Sequence, residues 1–258
     1  MKNQETPYNP ESYWSEVGAR IKGRVGKNVI AGDDEPYYRY KRQEFLKLLH
    51  SVDFKGRIVL EVGSGPGGNL LEVYKHQPAQ LNGADISATM VELAKEKVPS
   101  EVRITKVDGK KLPFDDQSMD LVFTATVLQH NTDDAMLRQV IGEICRVSKH
   151  QVVLFERIED QIMGDDLCLG RPVSYYADIL KAHGFALKSA DYINIRASYY
   201  FSGAVRKLLN PKQRQEGEPL NGVSVLLQNL SLPVTKVLDK IFTSRKDVAK
   251  LVFERVAA

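Results

Sequence analysis

The chain has 258 residues, with 36 Lys and Arg against 33 Asp and Glu, giving a formal net charge of +3. That length suits one large domain whose core needs no staples, and so small a cationic excess gives no argument for a nucleic-acid partner. Cys145 and Cys168 fall in different predicted elements without a C-x-x-C partner, which argues against a disulfide framework, a metal site or a redox motif. The opening residues M-K-N-Q-E-T-P-Y-N-P are polar and broken by prolines, with none of the apolar run of a signal peptide, so a cytoplasmic protein is expected.

Residues 1–50 are rich in aromatic and basic side chains, including Tyr13, Trp14, Tyr37, Tyr38 and Tyr40, with clusters at 22–27 and 38–42 of the kind that usually form solvated faces. From residue 57 to 195 apolar pattern and turn chemistry alternate regularly. R-I-V-L-E-V (57–62) reads as a strand, 69–77 as a helix stopped by Pro78, and 79–85 as a second strand. Ser87 is an N-cap for the helix that Pro99 closes. Strands follow at 102–108 and 119–126, a helix at 133–147, a strand at 150–156, a helix over 174–185 stopped by Gly184, and an edge strand at 185–195. An insertion at about 199–247 precedes a last strand at 250–256. Strands alternating with helices define an α/β doubly wound sheet, with its ligand crevice beyond the carboxyl ends of the strands.

The run V-L-E-V-G-S-G-P-G-G (59–68) contains a literal G-x-G-x-x-G at Gly63, Gly65 and Gly68. Glycines alone do not choose the ligand, but charge does. Glu61 precedes the loop, and Asp85 and Asp108 end the next two strands, so three carboxylates are expected to converge on one ligand. A pyrophosphate would be repelled there, whereas a cationic nucleoside would be held.

With these motifs in order, the sequence resembles the class I S-adenosylmethionine-dependent methyltransferases, in their small-molecule branch, over roughly residues 55–195 and again at the last strand. The resemblance implies a seven-stranded, mostly parallel Rossmann-like sheet over 51–198 and 248–258, a helical N-terminal lid over 1–50 and a helical insertion over 199–247. It implies S-adenosyl-L-methionine as cofactor. The loop of Gly63, Ser64, Gly65 and Gly67, with Glu61 beside it, would hold the methionine and ribose part. Asp85 would meet the ribose hydroxyls, Ile86 the adenine, and Asp108 and Gly109 the adenine amino group. Ala125 and Thr126 would lie near the methionine tail.

Methyl transfer from a sulfonium is an in-line displacement in which alignment and desolvation carry most of the catalysis. A general base matters only where the acceptor must lose a proton, and His130, after the fourth strand, is the candidate. The alternative is that it orders the loop or lines the pocket. Tyr13, Tyr37, Arg157 and Arg171 are candidates for holding a small-molecule acceptor, and Arg39 or Arg42 for meeting an anionic group. The insertion carries apolar residues at helical spacing over 223–242, interrupted at Pro233, with Lys236, Lys240, Arg245 and Lys246 nearby. Such a basic amphipathic helix suits a membrane surface or a lipid-like acceptor, and more commonly closes a core or a homodimer interface.

Rival readings are an NAD(P)-dependent oxidoreductase on the same glycine loop, an RNA methyltransferase served by the basic patches, and a non-catalytic protein that keeps the fold. The D-L-V-F-T-A-T segment (120–126) lacks the N-P-P-Y-type run of amino-methylating DNA enzymes, and nucleic acid is not expected as a partner.

Overall fold

The computed structural model describes residues 8–22, 35–210 and 220–256. All but Lys22 of the basic cluster at 22–27, and part of the 199–247 insertion, lie outside those residues.

Two helices come first, α1 (Pro10–Lys22) and α2 (Pro36–His50). Pro36 sits at the start of α2, where its missing N–H costs nothing. Then follow β1 (Ile58–Val62), α3 (Gly68–Tyr74), β2 (Gln80–Asp85), α4 (Ala88–Lys97), β3 (Arg103–Lys106), β4 (Met119–Ala125), α5 (Asp134–Val147) and β5 (Ser148–Ile158). A short hairpin, β6 (Met163–Gly164) with β7 (Leu169–Gly170), lies between β5 and the next helix. The chain ends with α6 (Val173–Ala182), β8 (Phe185–Tyr192), α7 (Arg196–Leu209), α8 (Gly222–Ile241) and β9 (Asp247–Arg255).

Seven strands form one sheet in the order β3-β2-β1-β4-β5-β9-β8. The first five pair in parallel, and β9 inserts antiparallel between β5 and β8, leaving β8 at the edge as its alternating pattern predicts. The order reverses at β1, so the crevice beyond β1 and β4 is the topological switch point.

The strands are buried on both faces because consecutive residues serve different cores. Val59, Phe123, Val153 and Phe155 pack with Phe45, Leu49 and Phe54 on the α2 side. Leu60, Val122, Val152 and Leu154 pack with Ile141, Ile144, Tyr176 and Leu180 on the α5–α6 side. A smaller cluster joins Val17 and Ile21 of α1 to Met90 and Leu93 of α4. Ser87 caps α4 as expected, accepting from the Met90 amide at 3.3 Å, and its hydroxyl also meets Ser15 of α1 at 3.1 Å.

Two sequence expectations are corrected by α8. Pro233 does not interrupt it, since the helix runs unbroken from Gly222 to Ile241. The Ser231 hydroxyl bonds the Leu227 and Gln228 carbonyls in the turn before the proline. Nor does most of its apolar stripe close a core: α8 buries Ser224, Gln228, Thr235 and Asp239, and of its apolar residues Leu232 alone is buried, in the α2-side core.

Candidate active site

A cavity of about 420 Å³ lies at the switch point, walled by the ends of β1, β2 and β4 and covered by α1 and α2. Gly63, Ser64, Gly65, Asp85, Ile86, Gly109, Ala125, Thr126 and His130 all line it.

The glycine loop is shaped by local sterics. Gly63 has φ +75°, and a Cβ there would stand 2.2 Å from Val127. Gly65 has φ +49°, and no atom lies within 4 Å of where its Cβ would be, so it leaves open space on the cavity wall. The loop amides are engaged internally. Those of Gly63 and Ser64 donate to the Ala84 carbonyl at 2.7 and 3.1 Å, and that of Gly67 donates to Ser64 at 3.0 Å. The Gly65 amide donates to Asp85 Oδ2 at 2.8 Å, and Pro66 has no N–H to offer. No N–H from 63 to 67 is left to cradle a phosphate, which requires several convergent amides.

Of the three carboxylates expected to converge, Asp85 alone lines the cavity. Its Oδ1 accepts from the Ser87 amide at 2.8 Å while Oδ2 holds Gly65, and burial raises its pKa against these bonds. Glu61 is fully buried behind the loop, where Asn69 donates to its Oε1 at 2.7 Å, and burial pushes its carboxyl up to about 8. Glu61 therefore holds its proton near neutrality and adds little negative charge. Asp108 is exposed and folds back on its own turn, accepting from the Lys110 and Lys111 amides at 2.8 and 3.0 Å, which lowers its pKa. Gly67, also expected at the ligand, instead packs beneath α4, where a Cβ would meet Val98 at 2.8 Å.

The far wall is held by a residue that sequence reading passed over. Glu156, at the end of β5 and fully buried, accepts from Thr124 Oγ1 at 2.8 Å and from the Val127 and Gln129 amides at 3.1 Å each. Burial raises its pKa. Its signal was an acid ending the apolar run V-V-L-F-E (152–156). Between these anchors Thr126 is forced to φ +57°, strained for a β-branched residue and a mark of a functional turn.

His130, in a single 3-10 turn over Leu128–His130, is half-buried on the cavity wall. Its Nδ1 meets the Leu167 carbonyl at 2.8 Å, and a carbonyl only accepts, so Nδ1 carries the proton. Nε2 then presents its lone pair, which faces the Gln129 amide nitrogen at 3.1 Å. The Trp14 ring stands edge-on to the imidazole, with centroids 4.9 Å apart.

The four proposed acceptor residues do not line the cavity. Tyr37 is buried in the α2-side core. Tyr13 packs edge-on between Tyr8 and Trp14, and these two neighbours reach the cavity in its place. Arg171 is buried and braces the 3-10 turn, donating to the Leu128 and Asn131 carbonyls at 3.0 and 2.7 Å. Arg157 pairs with Glu159 at 3.0 Å. From the N-terminal segment, α1 presents Trp14, Val17 and Ile21, and α2 presents Tyr38, Lys41, Arg42 and Phe45. Arg42 bonds the Asn69 side chain and the Gly68 carbonyl, tying α2 to the glycine loop, while Arg39 is exposed.

The strand order and the cavity at its switch point are those of the Rossmann-like methyltransferase fold. Residues 59–151 match a family described as "Methyltransferase domain". The O-methyltransferase cnsE of Penicillium expansum is 28% identical over 189 residues, 68% of this chain and 66% of that protein. Among solved structures, the [4+2]-cyclase SpnF superposes with a TM-score of 0.63 at 16% identity, covering 96% of each chain. Magnesium protoporphyrin IX methyltransferase (ChlM) from Synechocystis PCC 6803, with bound SAH, superposes with a TM-score of 0.58 at 13% identity, over 95% of this chain and 98% of that one. The chain spans between 23% and 66% of the length of the curated relatives it matches. Among the described residues, no helix is long and apolar enough to cross a membrane, and no group of His, Cys, Asp or Glu is placed to hold a metal.

Proposed function

We propose that this chain is an S-adenosylmethionine-dependent methyltransferase acting on a hydroxyl, amine or carboxylate of a small molecule. The observation that carries the reading is the glycine loop whose amides from 63 to 67 are engaged within the protein. A dinucleotide's pyrophosphate is held by loop amides together with a helix N-terminus, and here the loop's share is already engaged, whereas S-adenosylmethionine has no phosphate to hold. Its fit to this site rests on the open wall at Gly65. The ChlM structure, on the same fold, holds SAH.

When bound, the cofactor supplies an electrophilic methyl group on a cationic sulfur. The chain's own residues do the rest. Asp85 fixes the loop and stands on the wall where the ribose would lie, and Ile86 and Gly109 form an apolar slot for the adenine. Trp14, Val17, Tyr38 and Phe45 cover the cavity and exclude water, which favours dispersal of the sulfur's charge. His130 is the candidate base for an acceptor that must lose a proton, with its tautomer set by Leu167; its Nε2 accepts from the Gln129 amide here and would exchange that bond for the acceptor's proton.

The test is thermal melting with S-adenosylhomocysteine and, separately, NAD. A rise with the first alone is expected, and a rise with NAD alone would overturn the reading. In a labelled methyl-transfer assay on the acceptor so found, His130→Ala is expected to lower turnover about a hundredfold with cofactor affinity little changed. Unchanged turnover would leave His130 only as part of the wall.

A further inference from the structure

The hairpin of α7 and α8 is polar inside and apolar outside. Asp239 of α8 is buried, and its Oδ1 accepts from the Ala197 and Ser198 amides at 2.7 and 3.2 Å, capping α7 from another helix. Ser198 Oγ lies 2.6 Å from Asp239 Oδ2 and 2.8 Å from Thr235. Further along, Asn210 donates to Ser224 at 3.1 Å, and Gln228 is fully buried beside it. These bonds fix the rotation of α8, and its apolar stripe is thereby turned outward. Val223, Leu226, Leu230, Val234, Val237 and Ile241 recur every three or four residues along the whole helix, each more than half exposed. A helix on a globular domain ordinarily buries that stripe. On α7, Tyr200 and Leu208 are equally exposed.

The charge of this face selects its occupant. The exposed charged residues of the two helices, Arg196, Lys207 and Lys240, are all cationic, and their one acid, Asp239, is buried. A second copy of the same face would bring cations against cations. An anionic lipid surface complements both features, apolar residues entering the acyl boundary and Lys and Arg meeting headgroups. Tyrosines suit that boundary as well.

We propose that the outer face of α7 and α8 docks on the surface of an anionic phospholipid bilayer, lying in the interface rather than crossing it. The inference is independent of the reaction assigned above. The full chain is sedimented with vesicles of phosphatidylcholine alone and of phosphatidylcholine mixed with phosphatidylglycerol. Binding to the mixed vesicles, about tenfold stronger than to the neutral ones and weakened by salt, is the expected result. A Leu230→Glu, Val234→Glu, Val237→Glu variant is expected to lose binding about tenfold or more with its melting temperature held, since all three residues face solvent. A Lys207→Glu, Lys240→Glu variant is expected to lose preference for the anionic lipid. The proposal is overturned if the wild type stays in the supernatant, whether as a monomer or as a dimer that the triple variant dissociates. It is equally overturned by binding that survives the triple variant, or that does not distinguish the two lipids.

Discussion

The cavity wall and the α7–α8 hairpin use buried polar groups for opposite ends. At the cavity, Asp85 and Glu156 are buried so that loops can be held open around a space: each carboxylate collects backbone amides and leaves other side chains facing the cavity. In the hairpin, Asp239 collects backbone amides too, but the consequence is to close two helices on each other and turn their apolar residues outward. The same chemistry, an acid gathering orphan N–H groups, thus builds a concave site in one place and a convex face in the other.

The comparison breaks most visibly at Glu156. Glu156→Ala leaves one hydroxyl and two amides without their acceptor, and is expected to cost about 3 kcal/mol and most of the turnover together. Denaturant melts and initial rates would show both, and loss of stability without loss of rate would separate the loop from catalysis. Asp239→Ala should cost about 2 kcal/mol by uncapping α7, yet leave cofactor affinity unchanged by calorimetry, because the hairpin is not part of the cavity wall.

Glu61 gives a sharper test through pH. Its carboxyl titrates near 8 in the folded chain and about 4.3 when unfolded, so the native state binds the extra proton between those values. Its contribution to stability is therefore full below the lower value and is lost as pH rises through about 8. Glu61→Gln is expected to flatten that fall, read from melting temperatures at acidic, neutral and mildly alkaline pH; an unchanged slope would place the titration elsewhere. The smallest effect is expected on the hairpin's outer face, where Val234→Ser should change stability by less than about 0.5 kcal/mol because the side chain is already in solvent.

Much of the frame was legible because it rests on local signals. Strand and helix periods, the Ser87 cap and the Gly184 stop lie where pattern and turn chemistry put them. So do the glycine loop, Asp85 and His130, since strand ends at a switch point are the site in this architecture. What was not legible depends on which way a side chain turns. Arg171 reads as a hold on the acceptor and is instead buried across two carbonyls; Asp108 reads as a ligand and bonds its own turn. The apolar period of α8 was plain, but which face it buries is set by Asp239 and Ser198, contacts between residues far apart in sequence.

The engaged amides of the glycine loop bear on competition. Adenine and ribose are common to many abundant nucleotides, so a site that recognised only those parts would be crowded by them. With every amide from Gly63 to Gly67 already bonded, and none available from Pro66, a phosphate entering beside Gly65 would shed its water and gain no donor there in exchange. Selectivity at this wall is thus a matter of what the loop withholds.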